Sequence, residues 1–273
     1  MPQVTVVGSI NVDLTSHSSR LPSPGETVGE GAFTRQAGGK GANQAVALSR
    51  LGATTRMTGA VGNDEPGSFA LENLRSAGVN TDGVLVRDAQ TGVALVMVDK
   101  EGENQIVVCP GANGDVCSEG FADVDGAILT QLEIPLHAVV KLGLTATGFL
   151  AVNTAPAMPL PDELISRADL FIANEMEFAL TPELRSARLV AVTSGASGAV
   201  MYENGEEVAR AASPRVDVVS TVGAGDAFCA ALTLGIVSGL SYDVALRAAC
   251  AVGSHAVTFA AAQPPLHSLS EYV

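Results

Sequence analysis

The stretch of the 273-residue sequence richest in chemistry is Ser220-Thr221-Val222-Gly223-Ala224-Gly225-Asp226-Ala227-Phe228, which reads as a loop running into a helix. Small residues at Gly223, Ala224 and Gly225 let successive backbone N–H groups converge. The following helix adds its unpaired N–H groups and the positive end of its dipole. Together these form an anion hole suited to the charge that builds on a transferring phosphoryl group. Asp226 opens that helix, where its carboxylate can take a proton from an attacking hydroxyl. On spacing alone, a glycine-rich turn with an acidic cap carries equal weight.

A second glycine-rich loop, Gly38-Gly39-Lys40-Gly41-Ala42-Asn43-Gln44, also opens a helix. It has neither the GxxxxGK[ST] nor the GxGxxG spacing. Close backbone approach at Gly39, with Lys40 and Asn43 beside it, suits a polyhydroxylated ligand; the alternative is a helix cap with a solvated lysine. Asn11 and Asp13 lie beyond the first apolar run, two residues apart, and point the same way if the strand continues. They are a fork for two hydroxyls, or an Asx turn leaving a strand. Asn174 and Glu177 follow a strand three residues apart, so they either orient metal-bound water and phosphate or cap a helix. Glu133 is ambiguous in the same way. Several of these residues follow strands or open helices, so one edge of a sheet would gather them.

The elements that must position them are legible as alternating β-branched runs and helical patterns, the mark of a parallel sheet covered by helices. Strands are expected at 4–10, 55–61, 127–132, 148–153, 170–174 and 189–193. Helices are expected at 40–51, from Asp64 and Pro66 to about Gly78, and at 225–239 and 243–260. Asn204-Gly205 predicts a type I′ hairpin between 199–203 and 206–211. Residues 12–37 have no helical period, and 92–109 alternate about the turn Lys100-Glu101-Gly102-Glu103. Both segments are assigned to a small β-sheet lid inserted within a single α/β domain spanning 1–273.

Composition narrows the function. Lys and Arg total 15 against 29 Asp and Glu, a formal net charge of -14. Such a field repels phosphodiester backbones and anionic lipid, so nucleic-acid and membrane partners are not expected. The four cysteines show no CxxC and the four histidines no HExxH, which argues against a zinc site. No stretch reaches the roughly 18 uncharged apolar residues of a membrane span. Residues 1–13 carry no Lys or Arg, unlike a signal peptide, and a cytoplasmic location is expected.

From about Val4 to Gln263 the chain resembles the PfkB (ribokinase-like) carbohydrate kinases. The resemblance is carried by Gly8-Ser9-Ile10-Asn11-Val12-Asp13, Pro24-Gly25-Glu26-Thr27, Gly38-Gly39-Lys40-Gly41-Ala42-Asn43-Gln44-Ala45, Gly102-Glu103-Asn104, Gln131-Leu132-Glu133 and Gly223-Ala224-Gly225-Asp226. It implies a Rossmann-type, mostly parallel sheet flanked by helices, with the β lid closing over a sugar. It also implies ATP-dependent phosphorylation of a terminal sugar hydroxyl with Mg²⁺, D-ribose being the first expected acceptor. By motif, Asn11, Asp13, Gly39, Lys40, Asn43 and Glu133 would hold the sugar; Val108, in the second lid strand, is a candidate for contact with the sugar face. Asp226 would be the base and Gly223 to Gly225 the anion hole. Asn174 and Glu177 match the NxxE element that organises Mg²⁺, through water, and the phosphates. Thr193, Gly195 and Gly198 match the nucleotide-binding loop. In relatives the lid supplies a dimer interface, so a homodimer through the lid is expected.

The chain also departs from the family. Ser220 stands where an Asp is usual, and Ala261-Ala262-Gln263-Pro264-Pro265 replaces a Gly-Ala-Gln-Pro-Ser run. By the resemblance, Ser220, Ala261 and Pro265 mark a degraded site for an activating monovalent cation, with a carboxylate lost at 220 and a serine hydroxyl at 265, so potassium activation is not expected. Cys250 replaces the His or Asn usual near the adenine, and the stretch between Glu177 and Leu189 is short. Two alternatives remain open at this level: a kinase of the same family for another sugar or nucleoside, and a catalytically weak sugar-binding protein.

Overall fold

The computed structural model describes residues 2–117, 121, 124 and 126–273. Its centre is a nine-stranded sheet ordered β13-β12-β11-β10-β9-β8-β1-β4-β5. The strands are β1 (Gln3–Val7), β4 (Thr54–Gly62), β5 (Asn80–Arg87), β8 (Ala127–Gln131), β9 (Leu150–Asn153), β10 (Leu170–Asn174), β11 (Leu189–Thr193), β12 (Ala199–Glu203) and β13 (Glu206–Ala211). Neighbours from β11 to β5 pair in parallel, and β12 alone runs the other way, antiparallel to both β11 and the edge strand β13. Asn204 and Gly205 both take positive φ, 52° and 83°, as the expected type I′ turn requires.

Because both faces of a parallel sheet are buried, its inner strands are mostly apolar and send alternate residues to two cores. Leu170 and Ile172 join one with Val4, Val6, Leu129 and Ala151, while Phe171 and Ala173 join the other with Val7, Ile128 and Val152. The first core packs under α1 (Lys40–Arg50), α2 (Glu65–Ser76), α6 (Ala224–Val237) and α7 (Tyr242–Ala256). The second packs under α3 (Leu136–Thr145) and α4 (Asp162–Arg167). A one-and-a-half-turn helix, α5 (Glu175–Leu180), follows β10 directly. Among the described residues no helix is long and apolar enough to cross a membrane.

A separate four-stranded sheet is ordered β3-β2-β6-β7, from β2 (Asn11–His17), β3 (Ala32–Gly38), β6 (Gly92–Val98) and β7 (Asn104–Cys109). It is built from the two segments that broke the helical rhythm. Asp64 anchors its root. That side chain caps α2 by accepting from Gly67 N at 2.8 Å, and it also accepts from Thr91 N at 2.8 Å, one residue before β6.

Several boundaries differ from the sequence reading. The run at 4–10 stops being a strand at Val7, because the chain turns to enter β2. The helices expected at 225–239 and 243–260 end earlier, at Val237 and Ala256. Strand β5 and helices α3 and α4 are additional elements.

Candidate active site

The parallel strands of the large sheet all end on one side, where the ends of β1, β8 and β9 and the segments leaving them reach α1, which in turn reaches the start of α6. Helix α6 begins at Gly223, which takes φ +78° as its N-cap. A side chain there would lie 2.0 Å from the Ala262 carbonyl, so glycine is required for the 262 segment to pack against the turn. Gly225, in contrast, faces open space. The N–H groups of the first turn have no intrahelical acceptor.

Asp226 sits one residue further on and is buried. Its Oδ2 accepts from Asn43 Nδ2 at 3.0 Å and its Oδ1 from Gln44 Nε2 at 3.1 Å, both on α1. Burial lifts its carboxyl to about 6, against the opposing pull of Lys40 and of the two amide hydrogen bonds. The group is therefore ionised at neutral pH yet still basic enough to accept a proton.

Asn11 and Asp13 lie on one face of β2, as their spacing requires. Gly38, paired with Asn11 across the strands, leaves room for the Asp13 carboxylate, whose Oδ2 would be 2.2 Å from a side chain at 38. Burial raises the Asp13 carboxyl to about 6, reinforced by Glu133 and Asp226 nearby. Pairing also puts Val108 in the same row as Asp13 through Ala94, on the same face of the small sheet. Val108 is exposed there.

Glu133 holds the start of α1. Its Oε2 accepts from Ser9 Oγ at 2.6 Å and from Lys40 N at 3.0 Å, and its Oε1 lies 4.0 Å from Lys40 Nζ. Burial works against the Lys40 charge, but Asp226, Glu133 and Glu177 outweigh it and hold the ammonium above its usual value. Lys40 is thus the positive centre of an acidic cluster. Gly39 enters the helix with φ +87°.

On the far side, Asn174 and Glu177 form a reciprocal capping box on α5, Glu177 N donating to Asn174 Oδ1 and Asn174 N to Glu177 Oε2, each at 2.8 Å. This leaves Glu177 Oε1 outside the pair, and burial raises the Glu177 carboxyl. Thr193 ends β11 beside Asn174. Gly195 and Gly198 bracket the tight turn that follows, with positive φ at both. Cys250, by contrast, is buried on α7, its thiol 3.9 Å from the Ala211 carbonyl and pushed up to about 11 by burial.

A model of the PfkB family, described as pfkB family carbohydrate kinase, matches residues 1–269. The chain belongs to this family. It is 37% identical to the ribokinase of Bacillus subtilis, over 99% of this chain and 98% of that protein. Its fold superimposes on the ribokinase of Thermotoga maritima with a TM-score of 0.89 at 26% identity, covering 100% of this chain and 98% of that one. The Arabidopsis thaliana ribokinase complexed with ribose and ATP gives 0.88 at 28% identity, over 99% and 97% of the two chains. The protein is therefore a ribokinase-like phosphotransferase with an alcohol acceptor.

The structure gives Asn43 a partner that its motif did not suggest. Its amide donates to Asp226, and its Oδ1 accepts from Gln263 Nε2 at 3.1 Å, so both ends of the group are engaged within the protein. Other contributors were not singled out from sequence. Asn113 accepts from Ile10 N at 2.8 Å and donates to Asn11 Oδ1 at 2.7 Å, which turns the Asn11 amide nitrogen away from Asn113. Ser9 links Glu133 to Gly41 N. Ser9 lies within one of the motifs, whereas Asn113 lies outside them all and carried no signal of its own.

Proposed function

We propose that this chain is an ATP-dependent sugar kinase that phosphorylates the terminal hydroxyl of D-ribose, giving ribose 5-phosphate and ADP. The observation that carries this reading is the buried, ionisable Asp226 carboxylate set directly behind the open face of Gly225, opposite Asn11, Asp13 and Lys40. Likeness to a ribokinase described as complexed with ribose and ATP supports the same donor and acceptor.

In this reading Asn11, Asp13, Gly39, Lys40 and Val108 surround the sugar, Glu133 fixes the loop that carries them, and Asn43 steadies the base. Asp226 takes the proton of the attacking hydroxyl as the oxygen–phosphorus bond forms and the bond to the leaving ADP oxygen breaks. The backbone N–H groups of Gly223 to Gly225 receive the charge on the transferring group. Asn174, Thr193, Gly195 and Gly198 border the nucleotide, and Cys250 packs beneath that side. The hard oxygen Oε1 of Glu177 fits Mg²⁺, which keeps most of its waters and needs few protein ligands. Bound there, Mg²⁺ would neutralise phosphate charge. The small sheet, residues about 12–37 and 92–109, acts as a lid that excludes water during transfer.

The side chains beside the anion hole do not fit an activating monovalent cation. Ser220 Oγ already accepts from Val222 N at 3.2 Å, and Ala261 and Pro265 offer no side-chain oxygen. The test is an ADP-release assay with Mg-ATP and a panel of pentoses, ketoses and nucleosides, run in sodium and then in potassium. The highest kcat/KM is expected on D-ribose, unchanged by potassium. A higher kcat/KM on another acceptor would replace ribose, and stimulation by potassium would reject the reading of Ser220, Ala261 and Pro265.

A further inference from the structure

Taking Asp226 as the base, we propose that Gln44 is a positioning residue for its carboxylate, and that Asn153 and Gln131 together fix the orientation in which Gln44 acts. Gln44 is wholly buried on the sheet side of α1. An amide is nearly symmetric in shape, so packing alone would accept it either way round. Asn153 removes that freedom as an anchored acceptor for the Gln44 nitrogen, and Gln131 Nε2 donates to Gln44 Oε1 at 2.6 Å. The Gln44 nitrogen is thereby turned toward Asp226 Oδ1, at 3.1 Å, and Asn153 Oδ1, at 3.2 Å. Asn153 is fixed in its turn, because its own nitrogen donates to the Ile172 carbonyl at 3.2 Å.

Gln131 and Asn153 are paired neighbours at the ends of β8 and β9. The donor–acceptor sense of the network is therefore set by the sheet and delivered to the reacting carboxylate. Every amide in it is buried, where an apolar side chain of similar size would fill the space without needing partners. Gln131 Oε1 even lacks a partner among the described residues. A polar arrangement this exacting is accounted for by what it holds, one oxygen of Asp226, while Asn43 holds the other.

Two donors to the ionised form favour it, so removing one should raise the pH at which the base protonates. The charged and titratable groups around Asp226 are Lys40 on α1, Glu133 after β8, Asp13 on β2, Glu177 on α5 and Cys229 one turn along α6. The acid limb of activity belongs to this cluster as a whole, and the variants report its displacement.

The experiment measures kcat and kcat/KM for D-ribose against pH, at saturating Mg-ATP, for Gln44→Met and Gln131→Met. Gln44→Met should move the acid limb up by about one pH unit and lower kcat about tenfold, with ribose KM nearly unchanged. Gln131→Met does not touch Asp226 and should move the limb the same way by less. Melting curves establish that each variant is folded. If Asp226→Asn retains the wild-type rate and limb, the base assignment itself falls. If Asp226→Asn is inactive but the folded methionine variants keep the wild-type limb, only the role of Gln44 falls. Failure of both methionine variants to fold also overturns it, since the network would then be structural.

Discussion

Asp13 and Asp226 carry charge in places that disfavour it, and Lys40 only partly offsets the cost. The sign of the resulting pH dependence is unusual for carboxylates. The Asp13 carboxyl is raised from 3.8 to about 6 on folding, so between those values the native state binds more protons than the unfolded chain. Stability therefore falls as pH rises through that window, and the full penalty is present above it. Replacing Asp13 by Asn should stabilise the fold by about 2 kcal/mol at pH 8. The gain should fade as the pH falls through the window and be absent below pH 3.8, while ribose binding weakens. Denaturant titrations at both pH values check this; an equal effect at the two would contradict the assignment of strain to the charged form.

At the scale of elements, the small sheet offers the clearest unmet requirement. Its pairing puts Phe33, Leu95 and Val107 on one face, 66%, 47% and 59% exposed. The outer strand β7 is exposed along its whole length. Apolar side chains and an open edge together invite a partner, and a second copy of the lid is the expected one. Leu95→Glu with Val107→Glu should then convert a dimer to a monomer in sedimentation velocity. A wild-type protein that sediments as a monomer would remove the lid interface.

Which elements were legible from sequence follows from their punctuation. Helix α2 announced itself through Asp64 and Pro66, and β12–β13 through Asn204-Gly205. Helix α3 has no capping side chain at its start and Ala146 rather than glycine at its C-cap, so its ends were poorly marked. Strand β5 carries Asp82 and Gly83 and reads as a loop until β4 pairs with it. The same contrast holds in the site. Charged residues and glycines at special spacings pointed to Asp226, Lys40 and Asp13. The amides of Gln44, Gln131 and Asn113 are only meaningful once the sheet ends bring them together.

Over the whole molecule, a net charge of -14 surrounds a site that must take a polyanionic nucleotide. Salt screens the distant charges within roughly 10 Å, so binding rests on the local field. That field comes from the start of α6 and from Lys40. The long parallel sheet contributes by fixing, from one edge, the helix starts that carry Asp226, Gly223 to Gly225 and Lys40. The central claim is that Asp226 takes the proton of the sugar hydroxyl within that frame. Its most direct test compares wild type with Asp226→Asn by ADP release on D-ribose, with ribose binding followed calorimetrically. The account predicts a fall in kcat of about a hundredfold or more, with ribose affinity largely retained. An Asp226→Asn enzyme that turns ribose over at close to the wild-type rate would contradict it.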